Sequence, residues 1–240
     1  MKIEIWSDFV CPFCYMGKRR LENALAQFPH QDKVTLEYKS YELSPNAERN
    51  PGKTIHEQMA EKFGSTIDQA KSMNDKMAEQ AAELGLTYNF DSMKPTNTLD
   101  AHRVAKYAAK QGKGKEMTER LLKAYFTDGK HIGDKETLKE LAEEVGLEAS
   151  AVNTLLQTDD YLAKVQADEE EAKEIGVQGV PFFVFNEKYA VSGAQPAEVF
   201  SEVLDTVWEE ESKQPTLQSL TPKKSKTTYC TDDGCCEIEE

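Results

Sequence analysis

An α/β fold, with a small sheet split by a long helical insertion, is predicted by three observations. The first forty or so residues read strand, helix, strand; positions 54 to 175 carry helical periodicity; strand-forming residues then return ahead of a last helix. Lys2–Val10 is the first predicted strand, with Ile3 and Ile5 alternating. The helix after it carries Leu21, Ala24, Leu25 and Phe28 at spacings of three, four and seven. Val34, Leu36 and Tyr38 then alternate with polar neighbours, as in a half-buried strand. Such a unit fits a right-handed βαβ crossover and a parallel pair.

In the helical stretch, Ile55, Met59 and Phe63 are spaced by four, and Met73, Met77, Ala81 and Leu84 follow before Gly85. Turn residues from Asn89 to Pro95 lead into predicted helices at Thr98–Lys110, Lys115–Asp128, Asp134–Val145, Ser150–Gln157 and Asp159–Ile175. Asp134 with Thr137 reads as a capped start. Pro181–Phe185 and Tyr189–Val191 are the later strands, joined by Asn186, Glu187 and Lys188 in a hairpin turn. Ala197–Glu211 is the last helix, with Val199, Phe200, Val203, Leu204, Val207 and Trp208 on its inner face.

A βαβ half and a ββα half around a helical block make a thioredoxin fold with an all-helical insertion. The expected division is a thioredoxin-like domain at 1–50 and 176–212, a helical insertion domain at 51–175, and a flexible Cys-containing tail at 213–240. The tail is rich in Pro, Thr, Ser and Lys and too poor in apolar residues to fold alone.

The net charge of −14 argues against a general nucleic-acid binder, which needs a basic surface to neutralise phosphates. Acidic residues interrupt the amino terminus, and no segment is long and apolar enough to span a bilayer, so a cytoplasmic location without a membrane partner is expected. Stable disulfides are rare in that compartment, which makes a Cys-x-x-Cys pair catalytic or metal-binding rather than a structural staple.

Cys11-Pro12-Phe13-Cys14 is such a pair, placed where the first strand runs into a helix. Unpaired N–H groups and the positive end of the helix dipole favour a thiolate there, which makes Cys11 the candidate nucleophile. Pro12 suits the first helical position. Cys14, one turn on, is the candidate resolving thiol, expected to face inward and to stay protonated until a mixed disulfide forms. A zinc site competes with this reading, but no second Cys-x-x-Cys or His-x-x-x-His completes one, and no metal is expected at the pair.

Two further segments accompany the cysteines. With Trp6–Cys14, the segments Asn97–Arg103 and Gly176–Phe183 make the chain resemble the DsbA-like FrnE family, related to 2-hydroxychromene-2-carboxylate isomerases and kappa-class glutathione transferases. The resemblance covers about residues 1–212. It implies disulfide oxidation or isomerisation through Cys11 and Cys14, on protein or small-thiol disulfide substrates. It also implies that Pro181 is cis and faces the nucleophile, leaving the Val180 backbone to pair with a bound peptide. Val180, Phe13 and Pro12 are therefore the candidate substrate contacts. No resident cofactor is expected, and glutathione is a candidate redox partner.

Phe13 departs from the histidine that strongly oxidising relatives carry between their cysteines. A less depressed Cys11 pKa follows, with a potential in the window of about −270 to −120 mV. The isomerase relatives typically use a serine, so a cysteine at 11 with a second at 14 favours redox chemistry. A glutathione-dependent isomerase of small aromatic substrates is the alternative. Cys230, Cys235 and Cys236 form a candidate secondary redox group, relaying electrons to the first pair, or else a metal-binding tail. His102 is a weaker candidate for the cleft over Cys11, and Met59, Met73, Met77 and Met93 either fill the core or face unfolded substrates.

Overall fold

A computed structural model describes residues 1–212, 227–230 and 236–239. Its main sheet has the strand order β2-β1-β3-β4, with β1 at Lys2–Ser7, β2 at Thr35–Ser40, β3 at Phe182–Phe185 and β4 at Tyr189–Ser192. β1 and β2 are parallel, Lys2 opposite Thr35 and Ser7 opposite Ser40, joined through helix α1 (Pro12–Gln27). β3 pairs antiparallel with β1 and with β4. Asn186 and Glu187, at φ of 48° and 55°, turn the β3–β4 hairpin in the left-handed region that primed turns need.

Period-two alternation assigns the two faces. Ile3, Ile5, Phe183 and Phe185 point to one core, where they meet Leu21, Ala24 and Phe28 of α1 and Phe200, Leu204 and Val207 of helix α9 (Ala197–Ser212). Trp6, Phe182 and Val184 point to the other face, against Ala172 and Val177.

The inserted block holds α2 (Ile55–Phe63), α3 (Ile67–Ala82), α4 (Leu99–Lys110), α5 (Gly114–Phe126), α6 (Lys135–Glu144), α7 (Ala149–Gln157) and α8 (Leu162–Glu174). Capping boxes at Thr54 with Glu57 and at Thr66 with Gln69 start α2 and α3. Asp134 accepts from the Thr137 amide at the start of α6, as its spacing predicts. Phe9, Tyr15 and Met16 belong to the core of this block. The first turns of α1 therefore pack on the insertion and its later turns on the sheet, so the helix carrying both cysteines is clamped from two sides.

One expectation is corrected. The first strand ends at Ser7 rather than Val10: the Asp8 carboxylate accepts from the Leu43 amide at 2.8 Å and its carbonyl accepts from the Cys11 amide at 3.2 Å, turning the chain into α1. Beyond α9, the described residues form two further short strands. β5 (Thr227–Cys230) and β6 (Cys236–Glu239) pair antiparallel, with Cys230 opposite Cys236. Met1–Trp208 and Glu209–Glu240 are separate compact units. Among the described residues no helix is long and apolar enough to cross a membrane.

Candidate active site

Cys11 is the N-cap of α1, in extended conformation (φ −89°, ψ 113°), and Pro12 takes the first helical position, where its missing N–H costs nothing. No side chain caps this end, so the outer sulfur alone stands beside the amide end of a 16-residue helix. The Cys14 amide donates to the Cys11 carbonyl at 3.0 Å, and both cysteines are free thiols.

The two sulfurs have different surroundings. The Cys11 thiol donates to the Val180 carbonyl at 3.6 Å, across from Pro181, and the Val180–Pro181 bond is cis, as the resemblance implies. Cys14 accepts from the Asp8 amide at 3.5 Å and adjoins Ser7 and Cys11. Burial, reinforced by the neighbouring Cys11 sulfur, pushes the Cys14 thiol well above its ordinary pKa. The buried surroundings of the inner sulfur favour its protonated form.

Access is narrower than an exposed nucleophile would have. Cys11 is only 4% exposed and Cys14 only 2%, whereas Phe13 between them is 45% exposed and Val180 half-buried. Phe13 and Val180 thus form the accessible rim beside Cys11. The Val180 carbonyl is not vacant in the dithiol form, because the Cys11 thiol occupies it. The Val180 N–H has no partner among the described residues.

Several contributors carried no signal as single residues in the sequence. Tyr88, from the insertion, donates its hydroxyl to the Pro12 carbonyl at 2.6 Å and stacks on Phe126 with ring centroids 4.5 Å apart. Gly17 lets α1 approach the proline loop: a Cβ there would stand 2.9 Å from Pro181 Cγ and 3.2 Å from Phe183 Cζ. A glycine inside a predicted helix was the available clue, since glycine is tolerated there at a cost of about 1 kcal/mol.

Behind the pair, Asp8 is buried with its Oδ1 3.4 Å from His102 Nε2, and the His102 ring lies 4.6 Å from that of Phe9. His102 is thus buried against Asp8 and Phe9. Glu42 lies beside this pair, and burial pushes its carboxyl up to about 7. The methionines divide: Met93 is buried, Met77 packs on the core, and Met73 is exposed. Cys235 and the side chains of Cys230 and Cys236 fall outside the described residues, so the secondary redox reading rests on sequence alone. Among the described residues, no group of three or more His, Cys, Asp or Glu side chains is placed to hold a metal.

Comparison with known proteins identifies the fold and the family. The model of the DSBA-like thioredoxin domain matches residues 2–205. The uncharacterized protein YwbO of Bacillus subtilis is 30% identical over 206 residues, 84% of this chain and 94% of its own. The crystal structure of a probable DsbA oxidoreductase from Streptomyces coelicolor superposes with a TM-score of 0.85 at 36% identity, covering 100% of both chains. A 2-hydroxychromene-2-carboxylate isomerase shares the fold at a TM-score of 0.63 and 14% identity, over 90% of this chain and 100% of that one. With the matched domain spanning the sheet, the insertion and the cysteine pair, this chain belongs to the DsbA-like thioredoxin-domain family.

Proposed function

We propose that this protein is a thiol–disulfide oxidoreductase of the FrnE type, working through Cys11 and Cys14 on protein or small-thiol disulfides. One observation carries the reading: two free cysteines share the first turn of a helix, the outer against the cis-proline loop and the inner buried with a raised pKa. In the oxidising direction the Cys11–Cys14 disulfide is attacked at Cys11 by a substrate thiolate. The S–S bond breaks, its electron pair stays on Cys14, and Cys14 takes a proton, which its surroundings favour. A second substrate thiolate then attacks the substrate sulfur bound to Cys11 and releases Cys11. Two electrons have passed to the enzyme and one disulfide to the substrate. In the reducing direction Cys11 attacks first and Cys14, after losing its proton, resolves.

The free Val180 N–H and the Phe13 ring supply the substrate contacts, one to a peptide carbonyl and one to its side chains. Likeness to the isomerase at 14% identity carries the fold alone, and cysteines at both positions favour redox chemistry.

The test compares insulin reduction and refolding of scrambled ribonuclease by the wild type, Cys11→Ser and Cys14→Ser. Cys11→Ser should lose both activities, and Cys14→Ser should accumulate a mixed disulfide that reductant releases. Full activity in Cys11→Ser would end the assignment. Survival of a glutathione-dependent isomerisation in Cys14→Ser, without redox activity in the wild type, would put the isomerase in its place.

A further inference from the structure

At the sheet edge away from the proline loop, β2 has only one neighbour, and a cavity of about 750 Å³ lies between it and helices α4, α5 and α8. That volume suits a small ligand rather than a folded partner. Two features of its lining define the ligand's chemistry.

The first is backbone. The Thr35 amide donates to the Met1 carbonyl, so the odd residues of β2 turn their peptide groups to β1, and Leu36, Tyr38 and Ser40 turn theirs to the cavity. Lys106 Nζ donates to the Tyr38 carbonyl at 3.0 Å, and the Ser40 amide donates to Asp168 at 2.7 Å. Those contacts close one end of the edge. At the other end the Leu36 carbonyl and the Tyr38 N–H have no partner among the described residues. An acceptor and a donor two residues apart on one strand match the N–H and C=O of a single residue on an added parallel strand.

The second feature is charge. Lys110, Lys115 and Lys164 line the same cavity, are exposed, and make no ion pair among the described residues. Lys39 and Lys106 line it too, paired with Glu171 and Asp168 respectively. Glu116 is the one lining carboxylate without an ion pair among the described residues, so the unpaired charge there is positive on a chain whose net charge is −14. A simple anion would use the lysines and leave the Leu36 carbonyl facing it. A ligand offering an amide N–H together with carboxylates satisfies both features.

We propose that this cavity binds a short, extended acidic peptide, one residue of which pairs with the Leu36 carbonyl and the Tyr38 N–H while its flanking carboxylates meet Lys110, Lys115 and Lys164. The site stands apart from the redox reading, and Cys11→Ser should leave it intact.

Calorimetric titration of the full chain with acetyl-Glu-Val-Glu-amide tests this, beside the Lys-Val-Lys analogue and the analogue N-methylated at valine. The acidic peptide should bind the wild type and Cys11→Ser alike. N-methylation, and separately the Lys110→Glu, Lys115→Glu, Lys164→Glu triple variant, should each weaken binding at least tenfold, and the basic analogue should not bind. As a check that needs no variant, raising NaCl from about 50 to 300 mM should weaken binding through screening. No binding, equal affinity for the N-methylated peptide, or insensitivity to both salt and charge reversal would overturn the proposal. In those cases the lysines only guard a sheet edge against pairing.

Discussion

Glu42 shows how one side chain near the cysteines reads pH. Burial is the main reason its carboxyl is raised to about 7, with Glu169 and Asp8 adding like charge and His102 opposing them. The unfolded chain releases that proton near the ordinary 4.5, so between the two values the folded form holds a proton that the unfolded form lacks. Stability contributed by the neutral carboxyl is therefore complete below pH 4.5 and is lost as pH rises to about 7. Glu42→Gln keeps an acceptor for Asn97 and removes the charge. Because Glu42 is part-exposed, solvent reduces the gain to about 1 kcal/mol at pH 8. Thermal melts should place the variant about 2–4 °C above the wild type at pH 8 and level with it near pH 4. Equal midpoints at pH 8 would mean that ionising Glu42 costs the fold nothing.

At the scale of elements, α1 is the piece whose placement matters most, and Gly17 sets how closely it meets the β3 side of the sheet. Alanine there gains helix propensity of about 1 kcal/mol, but its methyl meets the Pro181 and Phe183 rings inside van der Waals distance. Overpacking of this kind costs about 1–3 kcal/mol, so Gly17→Ala should be less stable despite the better helix former. Since relief comes by moving Pro181 away from α1, insulin reduction should fall at least fivefold while far-UV circular dichroism is unchanged. Unaltered activity would show that the loop yields without disturbing the Cys11 contact.

The elements themselves were largely legible. Ile3 and Ile5, or Phe183 and Phe185, announce a strand by alternation, and Asp134 with Thr137 announces a cap. Cys11 and Cys14 declared themselves by spacing and position. Asp8 did not, because a polar residue after an apolar run looks the same whether it extends a strand or turns it; only the Leu43 amide, 35 residues on, decides. Tyr88 and Glu42 were invisible for the same reason. Their roles come from tertiary neighbours with no periodic relation to them.

For the molecule as a whole, the question is what holds the helical block to the sheet, and Asp168 on α8 is the test point. It is 7% exposed; its Oδ2 accepts from the Ser40 amide at 2.7 Å and pairs with Lys106 of α4, while its carbonyl accepts from Trp6 Nε1 at 2.9 Å. One residue thus joins α8, α4 and two strands. Asp168→Ala leaves the Trp6 contact, which is to backbone, but strands the Ser40 N–H and leaves the Lys106 ammonium with the Tyr38 carbonyl and no counter-charge. Breaking a buried pair from one side costs about 3–5 kcal/mol, or roughly 10 °C in a chain of this size. Asp168→Asn still accepts from Ser40 and should lose about half as much. Because Met1–Trp208 is one compact unit, tryptophan fluorescence and far-UV circular dichroism should shift together in both variants. If fluorescence moved first while helicity held, the sheet would be parting from an intact helical block, and the polar clasp would be the weak seam between them. A loss under about 1 kcal/mol by both probes would assign the attachment to apolar packing around Trp6, Ala172 and Val177 instead.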